Sequence, residues 1–376
     1  MPLVKQLRAL TSAPSLYFAF FWFLVYAQYY FFWVSRRPIF HYKESKFNRD
    51  IVKHLKILHR RYFPSLFFFN GWLHLILYVI RSTKAKKLVS STKDRAALFE
   101  HEELELRDGG RVALEWRRPV LGLNKQTGGP KLVMLLNPTL TGACGEFNMI
   151  DMTNYVVQQN DGVQAVVLHR RGHEVALRTP RFHMFGSTDD LQQVVEHICR
   201  KVKNCRIALV GYSAGSALTG RMAGDVGQLI GRTRAEIEEG IATKFKHNRV
   251  AHAALAVDPR ATPCSWRGGT DVPPQQLKFW SPVIGVVSVS PAYTLSDGLE
   301  RCQALLGRRL VEGCKKCWLL SDRNSTEMLK RHNSEAFEKC MNANNMLEFL
   351  LASAPFTEFP NVDELMANMD PVVQVR

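Results

Sequence analysis

Residues Arg206 to Gly224 read RIALVGYSAGSALTGRMAG. Within them Gly211-Tyr212-Ser213-Ala214-Gly215 has the G-x-S-x-G spacing, which presents a serine on a tight strand-to-helix turn. The flanking residues must be small so that strand and helix can approach without collision. Ile207 to Val210 supplies an apolar strand, and the Ala/Leu-rich run after Gly215 supplies the helix. Ser213 is therefore the candidate nucleophile. The competing reading makes it an ordinary N-cap on a glycine-rich helix start. The chemistry served by this spacing is acyl transfer. A serine hydroxyl attacks only after a histidine takes its proton, a carboxylate must orient that histidine, and the developing oxyanion needs two backbone N–H donors.

The elements that must position Ser213 can be read upstream of it. Asp108-Gly109-Gly110 is a turn, and Arg111 to Trp116 alternates polar and apolar residues as a half-buried strand does. Lys131 to Leu136 is a continuous apolar strand running into Asn137-Pro138-Thr139-Leu140-Thr141-Gly142. Phe147 to Gln159 has helical spacing, Val163 to Leu168 is a buried strand ending in His169-Arg170-Arg171-Gly172, and Thr188 to Val202 is an amphipathic helix opened by Asp189 and Asp190. Strands alternating with helices predict a mostly parallel α/β sheet covered on both faces. Downstream, 225–281 reads as a surface insertion, with Ala235 to Lys246 as a helix inside it, and Pro282 to Ser290 reads as a further buried strand.

The blocks NPTLTG, HRRGH, TPRFHMFGSTDDL and LVGYSAGSALTG occur in this order. Together they resemble the α/β-hydrolase fold, and in particular its membrane-anchored branch of lipid esterases and phospholipases similar to YheT-type esterases. The resemblance covers about residues 96–225. It implies a doubly wound, mostly parallel sheet with a helical lid, the lid lying at about 299–369. It also implies that the backbone N–H groups of Ala214 and Leu140 form the oxyanion hole, and that Arg171-Gly172 is structural or lines the pocket. Two positions depart from the pattern, Thr139 and Ser216 standing where glycines are usual. The pattern's late acid and terminal Gly-Gly-His are not found, so the reading expects the last strands to be absent. Asp297 and His332 stand as substitute acid and base. His247 and His252 are the other histidines after Ser213.

Of the formal charge of +16, residues 1–95 carry 17 Lys/Arg against 3 Asp/Glu. The hydrolase-like part is nearly neutral, which argues against a nucleic-acid partner. Ser15 to Val34 is uncharged and, as a helix, long enough to cross about 30 Å of hydrocarbon. The basic linker Ser35 to Arg61 follows, then a second apolar run, Tyr62 to Ile80, in which Pro64, Asn70 and His74 favour a helix lying on the membrane. The positive-inside rule then places the following domain in the cytoplasm, on an endomembrane. The expected organisation is a membrane anchor over 1–95 and a hydrolase domain over 96–376. The eight cysteines lack framework spacing, and Cys314-Lys-Lys-Cys317 has no second ligand pair. No cofactor and no metal are expected. The functional expectation is a membrane-anchored serine hydrolase of lipid esters; the alternative is a catalytically inactive, membrane-tethered lipid-binding or interaction protein.

Overall fold

The computed structural model describes residues 13–40, 44–64, 71–88, 91–119, 132–159, 162–225, 282–290, 307–359 and 361–369. Contacts divide the chain into two units, 1–83 and 84–376.

In the first unit, α1 (Ala13–Tyr29) continues as a π-turn over Tyr30–Val34. Phe18, Phe21, Trp22, Phe23, Phe32 and Trp33 are all exposed, so this helix is apolar on every side and buries almost nothing within the unit. Ser15–Val34 is one helical stretch long and apolar enough to cross a membrane, and no second such stretch occurs among the described residues. The basic linker folds back on the end of it. Tyr62 N–H donates to Arg36 O at 2.9 Å and Arg61 Nη1 to Phe31 O at 2.7 Å. Helix α2 (Lys46–His54) lies in that linker, capped by Ser45, and α3 (Gly71–Leu88) begins beyond Pro64.

The second unit opens with α4 (Thr92–Leu98) and is built on six strands, β1 (Phe99–Glu105), β2 (Arg111–Arg117), β3 (Leu132–Asn137), β4 (Val163–His169), β5 (Arg206–Tyr212) and β6 (Val283–Val289). Their spatial order is β1-β2-β4-β3-β5-β6. The first two pairings are antiparallel and the other three parallel. α5 (Phe147–Gln159) packs Met149 and Val156 on one face, against Leu136, Ala165 and Val210. α6 (Thr188–Lys201) packs the opposite face with Leu191, Val194, Val195 and Ile198, each worth about 1.5–3 kcal/mol when buried. The side chain of Ser187, rather than Asp189 or Asp190, caps α6, and the two aspartates sit in the first turn, where they complement the helix dipole.

Three elements differ from the sequence reading. β1, FEHEELE, carries no apolar alternation, but Glu102 and Glu103 are paired: Glu102 accepts from Trp116 Nε1, His197 Nε2 and Lys201 Nζ, and Arg111 meets Glu103 at 2.9 Å. β2 is not half-buried. It lies between β1 and β4, successive residues on both of its faces are buried, and even Glu115 is fully buried. β6 is not a buried strand. It ends the described sheet order with β5 as its one neighbour, and Ile284 and Val287 are exposed.

The stretch 307–369 is helical: α7 (Gly307–Cys314), a π-turn over Lys315–Leu319, α8 (Arg323–His332), α9 (Ser334–Asn342), α10 (Met346–Ala352) and α11 (Val362–Met369). Its core is continuous with Phe182, Met184 and Phe185 from the loop after β4, Trp318 and Phe356 stacking on the two sides of Phe182. His183 in that loop is buried, accepts the Phe185 N–H at Nδ1 (3.1 Å) and faces Arg221, Arg170, Arg181 and Glu358. Burial pushes its pKa down to about 3. The unfolded chain takes up this proton below about pH 6.5 and the native chain only near 3, so stability falls as pH drops through that window and is flat above it. The expected slope is at most about 1.4 kcal/mol per pH unit. Urea unfolding at pH 7, 6 and 5 should show His183→Gln with a shallower acid slope than the parent chain.

Candidate active site

β3 and β5 are parallel neighbours in register, Leu136 opposite Val210 and Asn137 opposite Gly211. The chain leaves β3 for β4 on one side and returns to β5 on the other, so the loops after β3 and β5 emerge together at a topological switch point. The sheet thereby places the two sequence blocks NPTLTG and GYSAG beside each other.

Ser213 sits between β5 and the helix 214–225, exposed, with φ +52°. An N-cap residue takes an extended backbone, so the positive φ removes the capping reading and leaves the strained nucleophile turn. The two glycines are required by close approach. A Cβ on Gly211 would strike Gly215 O and lie 2.6 Å from Ser216 Cα; one on Gly215 would strike Asn137 O and lie 2.7 Å from Pro138 O. Since backbone gives least, Gly215→Ala should lose about 1–3 kcal/mol in urea unfolding by overpacking, and it should push the turn away from the loop after β3. Ser216 is fully buried and donates to Gly211 O at 2.7 Å and to Val289 O at 2.9 Å, while Ser213 N–H donates to the same Val289 O at 3.0 Å. The hydroxyl at the usual glycine position thus fastens the end of β6 to the turn.

Leu140 and Ala214 belong to one buried apolar cluster, and among the described residues no hydrogen bond occupies either N–H. Ala214 is the first residue of its helix, where an N–H has no intrahelical acceptor. Thr139 is accommodated by donating Oγ1 to Glu146 Oε1 at 2.9 Å across the tight turn at Gly142. Arg170, buried, holds this loop from beneath, its Nη2 donating to Leu140 O at 2.6 Å and also to Thr139 O. Burial pushes the Arg170 pKa down to about 10, with Glu146 opposing. Arg170 carries no cue of its own in the sequence beyond its place beside Arg171, which alone precedes Gly172.

Arg171, expected to be structural or to line the pocket, is held in ion pairs. It donates from Nε and Nη2 to both oxygens of Asp190 at 2.7 Å, and from Nη1 and Nη2 to Asp108 at 2.7 and 3.0 Å. Its carbonyl accepts from Trp318 Nε1 at 2.9 Å, and Gly172, at φ +75°, faces Trp318. His332 lies at the C-terminal end of α8, exposed, its ring 6.1 Å from that of Phe356. Asp297, His247, His252 and the Ala235–Lys246 stretch lie outside the described residues. Among the described residues no hydrogen bond reaches Ser213 Oγ. Cys314 Sγ contacts Met184 Sδ at 3.9 Å and Cys317 Sγ contacts Gly172 O at 3.8 Å, packing contacts between the helical region and the loop after β4.

No family model matches the sequence. Among curated proteins, human phospholipase ABHD3 is 24% identical over 207 residues, 54% of this chain and 47% of that protein. Embryogenesis-associated protein EMB8 of Picea glauca is 28% identical over 187 residues, 48% of this chain and 37% of that one. Abhydrolase domain-containing protein 2 of Drosophila melanogaster is 25% identical over 165 residues. The chain spans about half the length, or less, of the curated relatives it matches. Solved structures similar to it include XC6422 of Xanthomonas campestris, titled a serine hydrolase without lid (18% identity, TM-score 0.28, 34% of this chain and 56% of that one), and esterase Est22 (14%, TM-score 0.28, 52% and 54%). The order of the strands, the turn at Ser213 and the similarity to abhydrolase-domain proteins agree on the architecture: the chain has the α/β-hydrolase fold.

Proposed function

We propose that the chain is a membrane-anchored serine hydrolase that cleaves carboxylic esters of lipids, acylglycerol or phospholipid in type, through an acyl-enzyme on Ser213. The observation that carries this reading is the backbone of Ser213, a non-glycine residue held exposed at φ +52° by glycines on both sides that have no room for a side chain. Strain of that kind persists where function requires it. Ser213 Oγ attacks the ester carbonyl carbon as a base removes its proton. The carbonyl oxygen becomes an oxyanion facing the N–H groups of Ala214 and Leu140, the alcohol leaves with a proton, and water then hydrolyses the acyl-enzyme. His332 and Asp297, with His247 and His252, are the candidates for the acid–base pair. No cofactor enters the step.

The lipid class is supported by similarity to a protein named phospholipase. Membrane anchoring is supported by the exposed apolar helix and the basic linker after it, which would face anionic lipid; the same asymmetry supports a cytoplasmic catalytic domain, and an endomembrane location is part of the same proposal. Membership of the YheT-type branch belongs to the same proposal. One observation favours the alternative of an inactive lipid-binding protein: among the described residues, no histidine or carboxylate hydrogen-bonds to Ser213 Oγ.

The deciding experiment is hydrolysis of a short-chain nitrophenyl ester and of a monoacylglycerol by the full chain in detergent, beside Ser213→Ala. Serine-dependent turnover supports the hydrolase, and equal inactivity of two folded proteins supports the alternative. In the active case Arg170→Met, which releases the loop carrying Leu140, should lower kcat/KM by about 10- to 100-fold, mostly through kcat.

A further inference from the structure

On the sheet side of the loop after β3, three side chains from three separate elements meet. Glu115 comes from β2, His169 from the end of β4 and Cys144 from the loop itself, and one ligand atom of each lies within 4.8 Å of the others. All three are buried. Arg95 Nη2 and His101 Nδ1 both contact Glu115 Oε1, at 2.5 and 2.6 Å. Glu115 Oε2 has no hydrogen-bond partner, and neither has Nδ1 of His169. The other ring nitrogen is held only by a 3.3 Å contact from the Cys144 N–H, long for a hydrogen bond. An unpaired buried polar atom costs about 1–3 kcal/mol, so two on residues of one buried cluster call for an occupant.

We propose that Glu115, Cys144 and His169 hold one divalent ion of the zinc class, which fastens the base of the loop after β3 to β2 and β4. The donor set of one thiolate, one imidazole and one carboxylate suits a borderline-soft ion better than calcium or magnesium. Zinc bonds of about 2.0–2.3 Å put ligand atoms about 3.3–3.8 Å apart, so from within 4.8 Å of one another the side chains need close by no more than about 1.5 Å. The charges balance: Glu115, Glu174 and the Cys144 thiolate offset the dication and Arg95, which pairs with both carboxylates. Coordination removes the thiol proton, so one proton leaves for each ion bound. A lone buried water could satisfy the carboxylate and the ring, but it would leave the sulfur without a role. This proposal does not rest on the reading of Ser213 as a nucleophile.

The test is metal analysis of the full chain, purified in detergent with a thiol reductant and gel-filtered after exposure to zinc. One equivalent of zinc should remain, its X-ray absorption fine structure should fit one sulfur with nitrogen or oxygen neighbours, and cobalt in its place should give a thiolate charge-transfer band. Cys144→Ser should abolish that band and weaken zinc binding by more than the about 10- to 100-fold that changes outside the ligand set cost. Cys199→Ser, at another buried thiol, should change neither. Absence of bound zinc in the wild-type chain, a coordination shell without sulfur, or a cobalt band that survives Cys144→Ser would each overturn the site. The spectroscopy on the wild-type chain keeps the test decisive even where a variant fails to fold.

Discussion

On the proposed function, ester turnover by Ser213→Ala should fall at least about 10,000-fold below the wild-type chain, a loss of about 5.5 kcal/mol of transition-state stabilisation. Alanine keeps the Cβ and the backbone strain and deletes only the hydroxyl, so the fold and the apolar cluster around Ala214 and Leu140 are untouched. What remains is whatever the N–H donors and binding contribute without a nucleophile. Ser213→Gly separates chemistry from structure. It should be equally inactive, yet more stable by about 1 kcal/mol, because glycine takes φ +52° at no steric cost. A serine kept for its fold would give the opposite sign in urea unfolding, and that outcome would remove the strained-nucleophile account.

Arg171→Met should destabilise the second unit by about 3–5 kcal/mol, about 10 °C in melting temperature. The guanidinium joins Asp108 of the β1–β2 turn, Asp190 in the first turn of α6 and Thr179 of the loop after β4. Its loss leaves Asp190 buried and without its bidentate partner, and burial already pushes that carboxyl's pKa up. Asp108, in contrast, is held below the usual range: burial raises it, but Arg171, the Gly110 N–H and Arg181 more than offset this, so the two acids respond differently. Asp190 takes up a proton, while Asp108, less buried, turns to Arg181 and solvent. Arg171→Lys should recover only part of the loss, because an ammonium cannot make two bidentate contacts at once. Thermal melting of the three proteins measures this directly, and a change below about 1 kcal/mol for Arg171→Met would show the ion-pair hub to be dispensable.

The parts of this fold that were legible in the sequence are those where one physical signal acts alone. Phe147–Gln159 shows helical spacing because one face meets the sheet, and Ala165–Leu168 is an unbroken apolar run because both faces are covered. The turn at Ser213 was legible because Gly211 and Gly215 are fixed by backbone contact. Signals failed where pairing replaces apolarity. β1 is stabilised by Glu102 and Glu103 reaching partners on β2 and α6, and a string of glutamates does not look like a strand. The alternation in β2 suggested a solvent face, whereas Glu115 is buried among Arg95 and His101. Arg170 and Arg171 are adjacent and alike, and only the fold sends one under the loop after β3 and the other into a pair of aspartates. Glu115, Cys144 and His169 have no motif spacing at all, while Cys314 and Cys317 have the spacing but stand among packing contacts.

The most direct measurement of the central claim is covalent labelling of the folded full chain in detergent by a fluorophosphonate, read by peptide mass. The account predicts a single phosphonylated serine, Ser213, with labelling lost in Ser213→Ala and slowed in Arg170→Met. A folded chain that stays unlabelled, or one labelled at a different serine, would contradict it.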